Sequence, residues 1–424
     1  MRSLKTIQII ILIIVCFLSG YALGTRKVEL SWKDYHPILN VQSRLPASTQ
    51  TLDMTLFNEI VSKVNSDYYD KSKVDTRKML YGAISGMLGS LDDPYTSFFP
   101  PKQNDAFKTQ MAGEFSGIGA ELGTENNRII VISPLDSSPA MKAGIKSGDA
   151  ILKVNDDDTT GWTLAQAVDK IRGPKGTPIN LTIQHEKEKT AKVVKVVRDT
   201  IKIDSVTSWV KPVTCDGTNC KPDPNCKGCA SVAYLRISQF GDRTNDEWVS
   251  NTNKIVAEMK KNKNIKGVVL DLRNNPGGYL TDAVFIASEF IDSGVVVKQE
   301  DGAGQIMEMS VSRQGELLDT PLVVLINKGS ASASEIVSGA LRDHGRATLV
   351  GDNSFGKGTV QQAIDVDDGA SIHLSVAKWL TPNGTWVHHK GLKPDVSVSF
   401  DQKKSEGQML DNQLQTAIST LLKK

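Results

Sequence analysis

Two apolar runs constrain this chain more than anything else in it: Gly267-Val268-Val269-Leu270-Asp271-Leu272 and Pro321-Leu322-Val323-Val324-Leu325-Ile326. Neither alternates with polar residues, so each reads as a buried strand of the kind found in sheets covered by helices. Each ends in a turn of small and polar residues, Arg273 to Gly278 after the first and Asn327 to Ser332 after the second. A helical pattern follows each turn. Leu280, Ala283, Val284, Ala287 and Phe290 carry one; Ile336, Val337, Ala340 and Leu341 carry the other, closed by Gly345 as a C-terminal cap. Val232 to Ile237 is a further strand of the same region. Such strand–turn–helix units predict an α/β core whose chemistry sits on loops at the strand ends.

Ahead of this core the pattern is different. Leu56, Ile60, Val61 and Val64 predict an amphipathic helix with Asp53 as N-cap, and Asp75 caps a second carrying Met79 to Leu88. Asp92-Asp93-Pro94 ends it. A glycine-rich stretch, Glu114 to Leu122, then leads into a strand, followed by a strand at Arg128 to Ile132. Next come a short capped helix at Ser138 to Gly144, a strand at Ala150 to Val154, a helix at Thr163 to Ile171 and a strand at Ile179 to Gln184. This succession resembles a PDZ domain, in which loop amides take a C-terminal carboxylate and a peptide adds as an extra strand. The loop corresponding to that site is Phe115-Ser116-Gly117-Ile118.

The N-terminus predicts export. Arg2 and Lys5 precede an apolar run from Ile7 to Leu18, and Ala22-Leu23-Gly24 offers small residues where a cleavage site would want them. Residues 1–24 are therefore expected to be a signal peptide or a membrane anchor, and the protein to reside in the periplasm or cell envelope. Residues 25–50 show no clear periodicity and read as a linker. In an exported chain, Cys215, Cys220, Cys226 and Cys229 predict two disulfides with the pairing open. A zinc site is the rival, weakened by a single CxxC spacing. The net charge of +2 gives no argument for a nucleic-acid partner, so none is expected.

Gly329-Ser330-Ala331-Ser332-Ala333-Ser334-Glu335 offers three hydroxyls at a strand-to-helix junction. Serine is a favoured N-cap, which accounts for Ser330 or Ser334. A serine exposed at such a junction also has helix N–H groups aimed at a developing oxyanion. A nucleophile needs a base, yet none of the six histidines (His36, His185, His344, His373, His388, His389) has an acidic partner at a telling spacing. Lys357, between Gly356 and Gly358, is the alternative, provided burial lowers its pKa. Gly351 to Lys357 also matches a phosphate-loop spacing, but Gly358 stands where Ser or Thr would hold magnesium, and a strand pattern follows instead of a helix.

Taken in order, YGAISGMLGSLDDPYTSFFPP, EFSGIGAEL, IRGPKGT, DLRNNPGG, NKGSASASEI and GDNSFGKGTVQ resemble the C-terminal processing peptidases, or tail-specific proteases. The resemblance runs from about Leu52 to Phe400. It implies an α/β multidomain serine peptidase: an N-terminal helical region (51–101), a β-rich PDZ domain with two helices (102–200) and a connection with the four-cysteine insertion (201–231). A peptidase core of strand–turn–helix units (232–400) and a C-terminal helix (401–424) complete it. It implies Ser332 as nucleophile, Lys357 as general base and Gln361 as the residue orienting the amine. Gly278 and Ala333 supply the oxyanion-hole amides, and Arg172 is a candidate for coupling the PDZ domain to the core. No cofactor is expected. The expected partners are proteins or peptides with accessible C-termini, the membrane through the N-terminal segment, and a second copy in a homo-oligomer. Two other readings stand beside this one: a catalytically silent PDZ scaffold, which the intact Ser332, Lys357 and Gln361 argue against, and a small-molecule esterase or amidase. The cysteine-rich insertion departs from the family pattern.

Overall fold

The computed structural model describes residues 26–33, 36–43, 53–125, 128–135, 138–185, 188, 190–217, 219–405 and 408–423. The expected export segment, residues 1–24, lies outside them. Among the described residues no helix is long and apolar enough to cross a membrane. Residues 1–79 and 80–424 form two units.

In the first unit, the segment read as a linker carries an antiparallel hairpin of Arg26–Lys33 with His36–Ser43. Val28, Leu30 and Trp32 alternate there with Lys27, Glu29 and Ser31, a period-two pattern too short to stand out from the sequence alone. The helix Thr55–Asp67 follows, with Asp53 Oδ1 accepting the Thr55 N–H at 2.9 Å. Asp75 Oδ1 likewise accepts from Arg77 and Lys78 at the start of the helix Thr76–Gly89.

The second unit holds two packed bodies. One is an antiparallel sheet in the order Lys192–Val197, Pro178–Gln184, Ala150–Val154, Arg128–Pro134, Ala120–Glu125. Its inward residues, among them Ile129, Val131, Ile151, Leu181 and Ile183, alternate with exposed ones and pack with Ala167 and Ile171 of the helix Leu164–Ile171. Thr163 and Gln166 form the capping box that starts this helix. Ser138 caps the short helix Pro139–Lys142.

The other body is built on a seven-stranded sheet in the order Asn219–Pro222, Val206–Asp216, Ser231–Ile237, Ile265–Asp271, Leu322–Ile326, Thr348–Gly351, Val396–Ser397. The last five run parallel, and the first two pair antiparallel. Every residue of Leu322–Ile326 is buried because both faces are covered. Leu322, Val324 and Ile326 face the helices Thr244–Lys261, Leu280–Ala287 and Ala333–Asp343; Val323 and Leu325 face the helix Asn412–Leu422. The sheet thus draws on residues assigned from sequence to the connection and to a separate C-terminal helix. A two-faced sheet needs both. A second sheet, Ile306–Ser310, Val295–Asp301, Ser371–Leu380, Thr359–Asp365, takes Ser97–Phe99 against its third strand.

Candidate active site

The parallel strands Ile265–Asp271 and Leu322–Ile326 deliver their turns side by side, and hydrogen bonds lock the two turns together. Asn327 Oδ1 accepts from the Asn274 N–H at 2.8 Å, and Asn327 Nδ2 donates to Asn274 Oδ1 at 2.8 Å. Ser330 Oγ, fully buried, donates to Leu272 O at 2.8 Å and accepts from the Asn327 N–H. Ser334 Oγ, also fully buried, donates to Asn275 O at 3.0 Å. The outer two hydroxyls are therefore spent on holding the turns.

Ser332 differs from both. It is half-buried, and its backbone stands at φ 53°, ψ −115°. A β-carbon in that region costs roughly 1–3 kcal/mol, and strain of this kind gathers at functional sites. It is also Ser332, not Ser330 or Ser334, that occupies the N-cap position of the helix Ala333–Asp343. The serine expected to be free of capping duty is at the cap, because the sharp turn out of the strand is made at this residue.

The turn before the helix Leu280–Ala287 lies against Ser332. Buried Asn275 shapes it, accepting the Gly277 N–H at 2.8 Å and donating to Ile237 O at 2.9 Å. Gly277 has φ +99° and Gly278 φ +140°. A β-carbon on Gly277 would come within 2.8 Å of Ser332 Cβ and 3.0 Å of the Ala333 nitrogen. On Gly278 it would meet Phe240 O at 1.7 Å. Among the described residues no hydrogen bond engages the N–H of Gly278 or of Ala333. Two free donors thus stand beside the half-buried serine.

Lys357 reaches the site on the loop between Thr348–Gly351 and Thr359–Asp365. Its Nζ sits over the Tyr95 ring, 5.1 Å from the centroid, and its carbonyl accepts from Trp379 Nε1 at 2.8 Å. Burial pushes the ammonium below its ordinary pKa, opposed by the charges of Asp93 and Glu335. No hydrogen bond among the described residues joins Ser332 Oγ to Lys357 Nζ. Gln361 Nε2 donates to Thr359 Oγ1 at 2.8 Å and Ser375 Oγ at 3.0 Å, so its amide is turned to its own sheet. A phosphate loop is excluded locally: the strand Thr359–Asp365 follows the lysine, and the Gly356 N–H is already bonded to Glu335.

Glu335 is the residue the sequence reading passed over. Its carboxylate is fully buried, and Oε2 accepts the N–H groups of Ser332 and Lys357, each at 2.9 Å. Oε1 accepts the Gly356 N–H at 2.7 Å and Ser354 Oγ at 2.5 Å. The spacing Ser332-x-x-Glu335 was the available signal, since it is that of a capping box.

Among the described side chains, no histidine is hydrogen-bonded to Ser332 or to the Lys357 amine. His344 caps its helix and bonds Val295 O at 2.8 Å; His373 packs between Phe99 and Phe107, edge-on to the latter. His388 accepts the Gly358 N–H at 3.2 Å and stacks on Trp386. His185 does have an acidic partner, Asp149 at 2.5 Å, but the pair is buried in the antiparallel sheet body, away from the serine turn. The cysteines pair as Cys215–Cys220 and Cys226–Cys229. No group of metal-ligating side chains is found among the described residues.

The stretch expected to be a carboxylate-binding loop is strand over most of its length: Glu114–Gly117 pairs antiparallel with Asp199–Lys202, and Phe115, Gly117 and Ile118 border a small cavity of about 100 Å³ whose walls include Leu122, Val168 and Ile171. Arg172 ends the helix there, its guanidinium 5.3 Å from the Phe115 ring. It also lines a second cleft of about 740 Å³, shared with Phe107, Gln110, Ser238 and Gln239. The Gln239 side chain donates to Gln110 O at 2.9 Å across that cleft.

Comparison with known proteins identifies the family and its domains. The family model "Peptidase family S41" matches residues 231–398, a PDZ domain model matches 107–184, and the model "Activating protease CtpB N-terminal domain" matches 27–102. The chain is 36% identical over 357 residues to the carboxy-terminal processing protease CtpA of Bacillus subtilis, covering 84% of this chain and 71% of that one. It is 38% identical over 343 residues to the carboxy-terminal-processing protease of Bartonella bacilliformis, covering 81% and 74%. In fold it is similar to a solved putative S41 protease from Bacteroides fragilis, with a TM-score of 0.51 at 16% identity over 88% of this chain and 92% of that one.

Proposed function

The chain belongs to the carboxy-terminal processing proteases of peptidase family S41, and from that premise we propose that Ser332 is its nucleophile and Lys357 its general base. It is a serine peptidase with a PDZ domain, and peptides or proteins are its substrates. A silent scaffold is not favoured. In the reaction, neutral Lys357 Nζ takes the Ser332 Oγ proton as Oγ attacks the scissile carbonyl. The N–H groups of Gly278 and Ala333 receive the oxyanion. The lysine ammonium then protonates the leaving amine as the C–N bond breaks, leaving an ester on Ser332. Water, deprotonated by the same amine, attacks the ester, and Oγ recovers its proton. Gln361, on the strand Thr359–Asp365 that follows the lysine, is the residue we assign to orienting that amine.

The observation that carries this reading is the division among the three serines. Ser330 and Ser334 are bonded to buried backbone, while Ser332 alone is half-buried at a strained helix start beside free N–H groups. Purified protein is compared with Ser332→Ala and Lys357→Ala on an unfolded substrate with an apolar C-terminus. Each variant is expected to lose about 10³-fold or more in turnover. Parental cleavage by either one rules out the assignment.

The substrate tail is read by Phe115, Ser116, Gly117 and Ile118, with Arg172 linking that site to the core. The apolar segment Ile7 to Leu18 supports export and envelope residence, either as a cleaved signal or as an anchor. Fractionation of cells expressing the full chain tests this, and recovery in the cytosolic fraction alone contradicts it.

A further inference from the structure

A capping box accounts for only one of the four hydrogen bonds that Glu335 accepts. The Ser332 N–H is the local one. The other three donors, Ser354 Oγ, Gly356 N and Lys357 N, arrive from a loop separated from Glu335 by the rest of its helix and by the strand Thr348–Gly351. All four groups are donors and the side chain between them is fully buried, so only an acceptor with two oxygens and no hydrogen fits. Ser354 Oγ is itself fixed, accepting the Leu392 N–H at 2.6 Å.

We propose that Glu335 is a positioning residue of this active site: its carboxylate is the shared acceptor that holds the Ser332 turn and the Ser354–Lys357 loop in one register, and its charge acts on the Lys357 amine. The proposal rests on the assignment of Ser332 and Lys357 given above. Geometrically, one oxygen, Oε2, binds the backbone N–H of both residues, so the two cannot shift independently. Electrostatically, Glu335 and Asp93 are the anions that act on Lys357, with Tyr95 beneath the amine and His373 and His388 the other titratable groups nearby. Burial pushes the Glu335 carboxyl above its ordinary pKa, and its four donors offset part of that penalty.

The test uses the full chain and three variants, Glu335→Gln, Glu335→Asp and Ser354→Ala, with kcat and KM followed from neutral to alkaline pH. Glu335→Gln sets an amide NH2 against two of the four donors and removes the charge. It is expected to lower kcat about 10²-fold with KM within about three-fold. The pH at which activity rises should move down by about one unit, because an anion favouring the ammonium is gone. Glu335→Asp keeps the charge but falls short of the loop, so kcat falls while the pH midpoint stays. A loss of folded protein alone would reduce activity without moving that midpoint.

A folded Glu335→Gln with parental kcat overturns the proposal, as does one whose pH midpoint is unmoved. If Glu335→Gln does not fold, Ser354→Ala decides: a drop in kcat of about five-fold or more at unchanged KM supports the proposal, and parental kcat overturns it. Ser332→Ala and Lys357→Ala are measured alongside. Parental turnover in either sinks the dyad itself; if both are dead and Glu335→Gln is parental, only the role of Glu335 falls.

Discussion

A methyl group on Gly278 would lie 1.7 Å from the Phe240 carbonyl oxygen, so no side chain fits without moving the turn. That turn carries one of the two unengaged N–H groups beside Ser332. Gly278→Ala is therefore expected to lower kcat by about 10²–10³, the usual effect of losing one oxyanion donor, while KM changes little. Retained turnover in steady-state assays would show that the Gly278 amide does not serve the reaction. Lys357 poses a different residue-scale question. As the proposed general base it acts in its neutral form, and burial lowers its pKa, so activity should rise with pH at a midpoint below the ordinary lysine value of about 10.4. The same depression has a cost in stability. As pH falls from the unfolded pKa toward the folded one, the unfolded chain takes up the proton first, so stability is lost in that window. Lys357→Met should remove this penalty. It is expected to leave the thermal midpoint at neutral pH unchanged or raised while abolishing cleavage; a clear fall in the midpoint argues against a buried, destabilising amine.

Among the elements, the helix Asn412–Leu422 shows best what a sequence does and does not disclose. The strand Leu322–Ile326 was legible because unbroken apolar character means cover on both faces. The cover for one face comes from helices that follow in sequence, the pattern that strand–turn–helix units announce. The cover for the other comes from the far end of the chain, where Ala417, Ile418 and Leu421 pack on Val323, Leu325 and Val350. Nothing local to residues 412–422 says which face they meet. Arg273 fastens this helix start, its guanidinium bonded to Asp271, Asp411 and Gln413 beneath the turn that leads to Gly278. The site divides the same way. Ser332 and Lys357 were legible as residue types in motifs, whereas the role of Glu335 depends on donors from another loop, and the Gln361 amide bonds within its own sheet. Ile418→Ala should cost about 2–5 kcal/mol in this cover. Denaturant unfolding checks it, and a loss under 1 kcal/mol would mean that the helix is dispensable to the sheet.

At the scale of the molecule, Lys357 Nζ lies over the Tyr95 ring instead of on Ser332 Oγ, so in the proposed reaction part of the energy of substrate binding goes into closing the pair. The route we propose for that energy runs from the strand Glu114–Gly117. Arg172 touches both the small cavity beside Phe115 and the larger cleft walled by Ser238 and Gln239. The next residue, Phe240, is tied to the oxyanion turn by two hydrogen bonds: its N–H donates to Gly277 O at 2.9 Å, and its carbonyl accepts the Tyr279 N–H at 3.0 Å. A tail that displaces Arg172 would press on the 238–240 wall, and that wall cannot move without moving the turn. Phe115 and Arg172 line both cavities, and Arg172 is the charged one of the two, so Arg172→Ala should uncouple tail binding from turnover while leaving the reacting groups intact. The measurement compares one substrate with a free C-terminus and the same substrate with an amidated one. The parent should prefer the free tail by about ten-fold or more in kcat/KM, the range of ordinary coupling energies. In Arg172→Ala that ratio should fall toward one. If the variant keeps the parental ratio, the tail is sensed by another path, and the closeness of Arg172 to both cavities is only packing.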